Sequence, residues 1–318
     1  PLSYANLMRK CWSQDPKERP TFDEIVTLLK SDKSFITDSV NEKEFIEFIE
    51  SIECQQTDHV FSFNKVHIKY PKNKELLIDL DPIDLSLYEK GEYINEGQFG
   101  KVKAKEKSTG KICVAKTNIK LISNCNESQY VSLVREITIL SKLDSPAVMK
   151  FIGYSPLSFS KMKKPTIITE FYEHSSLDKI IKLQNCESNT KGWTDTNILI
   201  TMYGIASGMS YIHSKNILHR DLKPGNIFLD KYLFPKIGDF GLAIDISKEE
   251  IDPSVMAGTW AYIAPEIFES NDYSKAGDVY AFSIIVYEMI AHENPISKFN
   301  RIEIMEKILE GYRPSFDA

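Results

Sequence analysis

The run His219-Arg220-Asp221-Leu222-Lys223-Pro224-Gly225-Asn226, followed thirteen residues after Asn226 by Asp239-Phe240-Gly241, constrains this chain more than any other feature. An acid, a lysine and an amide fall within six residues of each other. The strand-like stretches IFLD and PKIG that lie between the motifs predict a hairpin whose arms carry Asn226 and Asp239. Side chains placed in that way can be aimed together at one metal-bound triphosphate. Hard oxygen ligands of this kind suit magnesium, which keeps waters and substrate phosphates in its shell.

Upstream features point to the same chemistry, each with a plainer alternative when taken alone. Asn95-Glu96-Gly97-Gln98-Phe99-Gly100-Lys101-Val102 places small residues between two strand-like runs. Backbone N–H groups can approach phosphate oxygens closely there, although an ordinary hairpin reads the same. Fourteen residues after Val102, Lys116 ends the strand-like KICVAK; it can reach a phosphate or simply be an exposed strand lysine. Glu136 lies near the apolar face that Val131, Val134, Ile137 and Leu140 make on a helical stretch. A carboxylate buried there needs a cationic partner, and Lys116 is the candidate; the alternative is a solvated helix glutamate.

With these segments in this order, and Ala264-Pro265-Glu266 after them, residues 85–318 resemble the protein kinases. GTWAYIAPE (258–266), DVYAFSIIVYEM (278–289) and CWSQDPKERPTF (11–22) resemble most the tyrosine-kinase-like group of Ser/Thr kinases. A strand-rich portion followed by a helix-rich one fits the α+β, two-lobed fold that the resemblance implies.

The resemblance implies roles for individual residues. Lys116 would hold the α- and β-phosphates of ATP and pair with Glu136. Asp221 would accept the proton of the substrate hydroxyl, Lys223 would steady the transferred phosphoryl group, and Asn226 and Asp239 would hold Mg2+. Ile94, Asn95, Gly97 and Gly100 would belong to the nucleotide-binding loop. Val102 and Phe228 would sandwich the adenine, with Val114 as its ceiling. Glu170 to Tyr172 would form the hinge behind which Thr169 guards the back pocket. Similar kinases that act on tyrosine usually lack a lysine two places after the catalytic aspartate, so Lys223 and Thr259 favour serine/threonine substrates. Arg220 would bind a phosphate on the segment between Asp239 and Glu266, with Ser247 and Ser254 as the first candidates.

Three departures stand out. Asn95 replaces the first glycine of the loop, and Val114 stands where similar kinases have alanine. The larger departure is architectural: the resemblance stops at GYRPSFDA, before the last two helices of the C-lobe, and helices of that kind appear at residues 4–12 and 21–30. Thr21, with Glu24 three residues later, marks the second of these as a capping box. Residues 1–30 are therefore expected either to be the remnant of an upstream kinase repeat or to dock in cis, with Arg19 beside Glu266. Residues 31–84 are expected to be a linker containing an amphipathic helix, EKEFIEFIESIE, and a β-like run, HVFSFNKVHIKY.

Composition narrows the partners. A net charge of −6 with interspersed signs gives no basic face for nucleic acid. Five scattered cysteines without a C-x-x-C argue against disulfides or zinc and for a reducing, cytoplasmic setting. The opening PLSYANLMRKCW does not resemble a signal peptide, and the longest apolar stretch, Ala281 to Ala291, contains Glu288. ATP and protein substrates are the expected partners; oligomeric state stays open. The competing readings are a nucleotide-binding pseudokinase scaffold and an inactive fragment of a tandem-kinase protein.

Overall fold

Alternating residues from Tyr88 onward build the first lobe. The computed structural model describes residues 1–54, 78–95, 99–185, 193–248, 256–296 and 298–315. Strands β1 (Tyr88–Asn95), β2 (Phe99–Glu106) and β3 (Ile112–Asn118) form an antiparallel meander, extended by β4 (Phe151–Ser155) and β5 (Thr166–Glu170) in the order β1-β2-β3-β5-β4. Gly110 takes φ = 73° in the turn between β2 and β3, a backbone state that costs glycine little. One sheet face buries Val102, Ala104, Cys113, Ala115 and Ile168 with Leu85. Helix α4 (Glu127–Leu140), started by an Asn126/Gln129 capping box, carries Glu136.

The helical stretch expected around Glu136 is thus α4. Val148 makes only an isolated bridge to Ile237. Phe171 and Tyr172 leave the sheet to run towards the second lobe.

Two largely apolar helices, buried along most of their length, organise the second lobe. These are α6 (Asp195–Ser214) and α8 (Lys275–Ala291). Around them lie α5 (Leu177–Asn185), α7 (Pro265–Ser270) and α9 (Arg301–Leu309), with two small pairings: β6 (Ile217–Leu218) with β9 (Ile244–Asp245), and the hairpin of β7 (Ile227–Leu229) with β8 (Pro235–Ile237).

The N-terminal helices pack on this lobe. Helix α1 (Leu2–Cys11) lies against α8, while α2 (Phe22–Ser31) and α3 (Glu42–Glu53) lie against α6. Thr21 accepts from the Glu24 N–H, and the Glu24 carboxylate accepts from the Thr21 N–H at 2.7 Å. Phe22 packs edge-on to Phe282 at 5.6 Å. Arg19 reaches Glu266 in a two-pronged pair, 2.7 and 2.8 Å, and also donates to the carbonyls of Ser13 and Ala276.

Helix α3 is no mere tether. Phe45, Phe48, Ile49 and Ile52 are buried in the same core, and Phe48 stacks against Phe234 at 4.5 Å. The β-like run HVFSFNKVHIKY lies outside the described residues. Among the described residues, no helix is long and apolar enough to cross a membrane.

Candidate active site

The loop after β6 is fixed from below by a single carboxylate. Asp278, buried in α8, accepts from the backbone N–H groups of His219 and Arg220, both at 3.0 Å, and from the His213 ring at 2.9 Å. Burial opposes its charge, but those bonds hold its pKa below the ordinary aspartate value. Arg220 takes φ = 61° and Asp239 φ = 63°, sparsely populated states for such residues that persist only when their surroundings enforce them. His219 accepts from the Asp221 N–H at Nδ1 and donates from Nε2 to the Gly238 carbonyl, which fixes its tautomer.

Above that support, three side chains converge on the Asp221 carboxylate: Lys223 Nζ and Thr259 Oγ1, each at 2.7 Å, and Asn226 Nδ2 at 3.0 Å. Lys223 also donates to Thr259 at 2.8 Å. Thr259 arrives here because its segment is pinned: Tyr273 hydroxyl bonds both the N–H and the carbonyl of Ala257. Gly258 has φ = 118°, and a Cβ there would lie 2.8 Å from the Arg220 carbonyl oxygen, too close for any other residue.

The hairpin places the remaining polar groups. Ile227 pairs with Ile237, and the Gly238 N–H donates to the Asn226 carbonyl at 2.9 Å, so Asn226 and Asp239 leave adjacent ends of the two arms. Lys116 Nζ lies 2.6 Å from Glu136 and 3.4 Å from Asp239. Burial works against the Lys116 ammonium, but the two carboxylates outweigh it and hold its pKa above the ordinary value. Lys116 in turn holds the Asp239 carboxyl below its ordinary range. Phe240 is fully buried and packs against the His219 ring at 5.1 Å.

Between the lobes is a cavity of about 260 Å³ lined by Ile94, Val114, Lys116, Glu136, Thr169, Glu170, Tyr172, Phe228 and Asp239 among others. Sequence reasoning had named all of these. It missed Met149 and Ile167, which add to the apolar wall, and Lys101 and Lys103, which project into the cavity from β2. It also gave no role to Asp278, although this residue opens the 278–289 motif.

Val102, expected against the adenine, differs. It pairs with Ala115 and is buried with it on the far face of the sheet. Gly100 likewise lines a hollow on that side. Asn95 ends β1, and nothing is described of its side chain; Gly97 and Ser254 lie outside the described residues. Ser247 is exposed and donates to Asp245 at 2.5 Å. Arg220 donates to the Leu242 carbonyl at 2.8 Å and lies over the Tyr273 ring.

Comparison with known proteins agrees with this geometry. A family model described as protein kinase domain matches residues 88–317. Serine/threonine-protein kinase Nek11 of Macaca fascicularis is 34% identical over 61% of the chain and 29% of its own length. Aurora/IPL1-related protein kinase 2 of Caenorhabditis briggsae is 31% identical over 78% of each. Dual specificity protein kinase pyk3 of Dictyostelium discoideum is 27% identical over 99% of the chain and 22% of its own length. The chain thus spans less than a third of the length of two of these three curated relatives.

Proposed function

This chain belongs to the protein kinase domain family, and on that premise we propose that it transfers the γ-phosphoryl group of ATP to serine and threonine hydroxyls of proteins. The observation that carries the reading is the cluster on Asp221. A carboxylate held by Lys223, Thr259 and Asn226 is positioned to accept a hydroxyl proton beside a cation that can follow the phosphoryl group. Positioning and charge neutralisation supply most of the rate in such a transfer. Lys116, fixed by Glu136, would take the α- and β-phosphates. Thr169, Glu170 and Tyr172 would border the adenine, with Val114, Ile94 and Phe228 around the ring.

Magnesium fits the donors present. The Asn226 amide nitrogen donates to the Asp221 carbonyl and carboxylate, which turns its amide oxygen away as a hard ligand. Asp239 is held ionised by Lys116. Two protein oxygens completed by phosphates and water are what this ion accepts, and once bound it would neutralise charge on the phosphate oxygens. Serine/threonine specificity is supported by the Lys223–Thr259 contact, and membership of the tyrosine-kinase-like group by the motifs at 11–22, 258–266 and 278–289.

Residues 1–30 are read as completing the C-lobe, with Arg19 and Glu266 as the joint. The match to the Dictyostelium relative along 99% of the chain supports a longer parent in which a similar segment precedes the kinase domain. Phosphorylation of the segment after Asp239, at Ser247 or Ser254, is read as exchanging the Arg220–Leu242 contact for an Arg220–phosphate pair.

The test is phosphate transfer from Mg-ATP to a generic protein substrate, with phosphoamino-acid analysis. Asp221→Asn should lower the rate by about 10²–10⁴-fold. Wild-type protein that binds nucleotide without transferring phosphate would favour the scaffold reading, and phosphotyrosine as the main product would overturn the substrate class.

A further inference from the structure

Lys101 is a cleft residue that the proposed reaction leaves without a role. It stands opposite Lys116 across the β2–β3 ladder, and directly opposed residues in an antiparallel pair point to the same face. Its half-buried side chain therefore enters the cleft, with Nζ 5.9 Å from the centre of the Phe228 ring. Lys103 faces the same way, but its ammonium lies over Phe171 at 5.0 Å, next to the segment joining the lobes. Of these two lysines, Lys101 is the one beside both the proposed adenine platform and Lys116.

Charge balance gives it a task. Lys116 faces two carboxylates, Glu136 and Asp239, so that trio carries a net negative charge towards an anionic triphosphate. Lys101 brings the group to neutrality. Burial, then the nearby Lys116, push the Lys101 pKa down, while Asp239 and Glu136 oppose this. A phosphate would stabilise its charged form where the protein alone does so poorly. A lysine on its flexible four-carbon stem can follow such a ligand.

We infer that Lys101 is a second cation for the triphosphate, reaching it from the Phe228 side of the cleft while Lys116 reaches it from the Glu136 side. The inference rests on the reading of this cleft as an ATP site. It assigns nucleotide affinity to a residue outside the set that the sequence motifs mark.

The experiment measures dissociation constants of Mg-ATP and adenosine for the full chain, as wild type, Lys101→Met and Lys101→Arg. Methionine keeps the apolar stem and removes the charge; arginine keeps the charge. The expected result is Mg-ATP weakened about tenfold or more by Lys101→Met, adenosine unchanged within about twofold, and Lys101→Arg restoring most of the loss. Equal effects on both ligands would overturn the inference, and tighter binding of both would mean that the ammonium competes with adenine for Phe228. Wild-type protein that binds Mg-ATP but transfers no phosphate would sink the kinase reading and leave this one standing. Wild-type protein that binds neither ligand would sink both.

Discussion

Replacing Arg19 with methionine tests whether the N-terminal segment is part of the fold in solution. The Arg19 side chain is fully buried and makes four hydrogen bonds: two to Glu266 and one each to the carbonyls of Ser13 and Ala276. Methionine preserves packing over the Tyr280 ring, which lies 5.2 Å from the guanidinium carbon, but strands the Glu266 carboxylate with 9% of its side chain exposed. Removing one partner of a buried pair costs about 3–5 kcal/mol, because the remaining charge is left uncompensated. An unfolding entropy of about 2.1 cal/mol/K per residue converts each kcal/mol to about 1.5 °C for a chain of 318 residues. Arg19→Met should therefore lower Tm by about 5–8 °C in a thermal melt. Arg19→Met/Glu266→Gln should recover about half of that loss, with a coupling of about 2 kcal/mol in the double-mutant cycle. A shift under about 1 °C, the scale of an ordinary surface change, or additive single effects would refute docking of residues 1–30 on this lobe.

Other outcomes follow from the same contacts. Thr259→Ala removes the hydroxyl that bridges Lys223 and Asp221; kcat should fall about 10–100-fold, with Thr259→Ser restoring it. Phe48→Ala empties a site 2% exposed against Phe234, and chemical denaturation should show a loss of about 3–5 kcal/mol if α3 belongs to the core. Glu288 is buried in α8, and burial pushes its pKa from 4.5 to about 7. The folded state then binds this proton more tightly than the unfolded one. Its contribution is present below about pH 4.5 and is lost as pH rises through about 7, up to about 3 kcal/mol. Glu288→Gln should flatten that slope in melts from pH 5 to pH 8, and an unchanged pH profile would rule out Glu288 as its source.

Much of the site was legible because its parts are local. Asn226 and Asp239 flank a hairpin short enough for sequence alone to set their relation, and the Thr21/Glu24 capping box closes within one turn of helix. Asp278 was not legible, since it acts 58 and 59 residues from the backbone groups it holds. The 278–289 motif includes this carboxylate, but a motif does not name the distant backbone groups that a side chain holds. The apolar face of α3 was plain in the sequence, but a face does not name what covers it, and Tyr203 and Phe234 come from distant parts of the chain.

The facing of β2 is the deeper case. Strand side chains alternate, so sliding the pairing by one residue exchanges every inward side chain for an outward one. Both Lys101 and Val102 are compatible with a strand, and the motif favoured Val102 for the cleft. In the fold, Val102 and Ala104 complete an apolar layer with Cys113, Ala115 and Ile168, whereas the opposite choice would put Lys101 into that layer with no carboxylate among its members. The lysines go to the side that holds Glu136 and Asp239. Burial of one face thus selects the register, and the electrostatics of the nucleotide cleft follow from that selection.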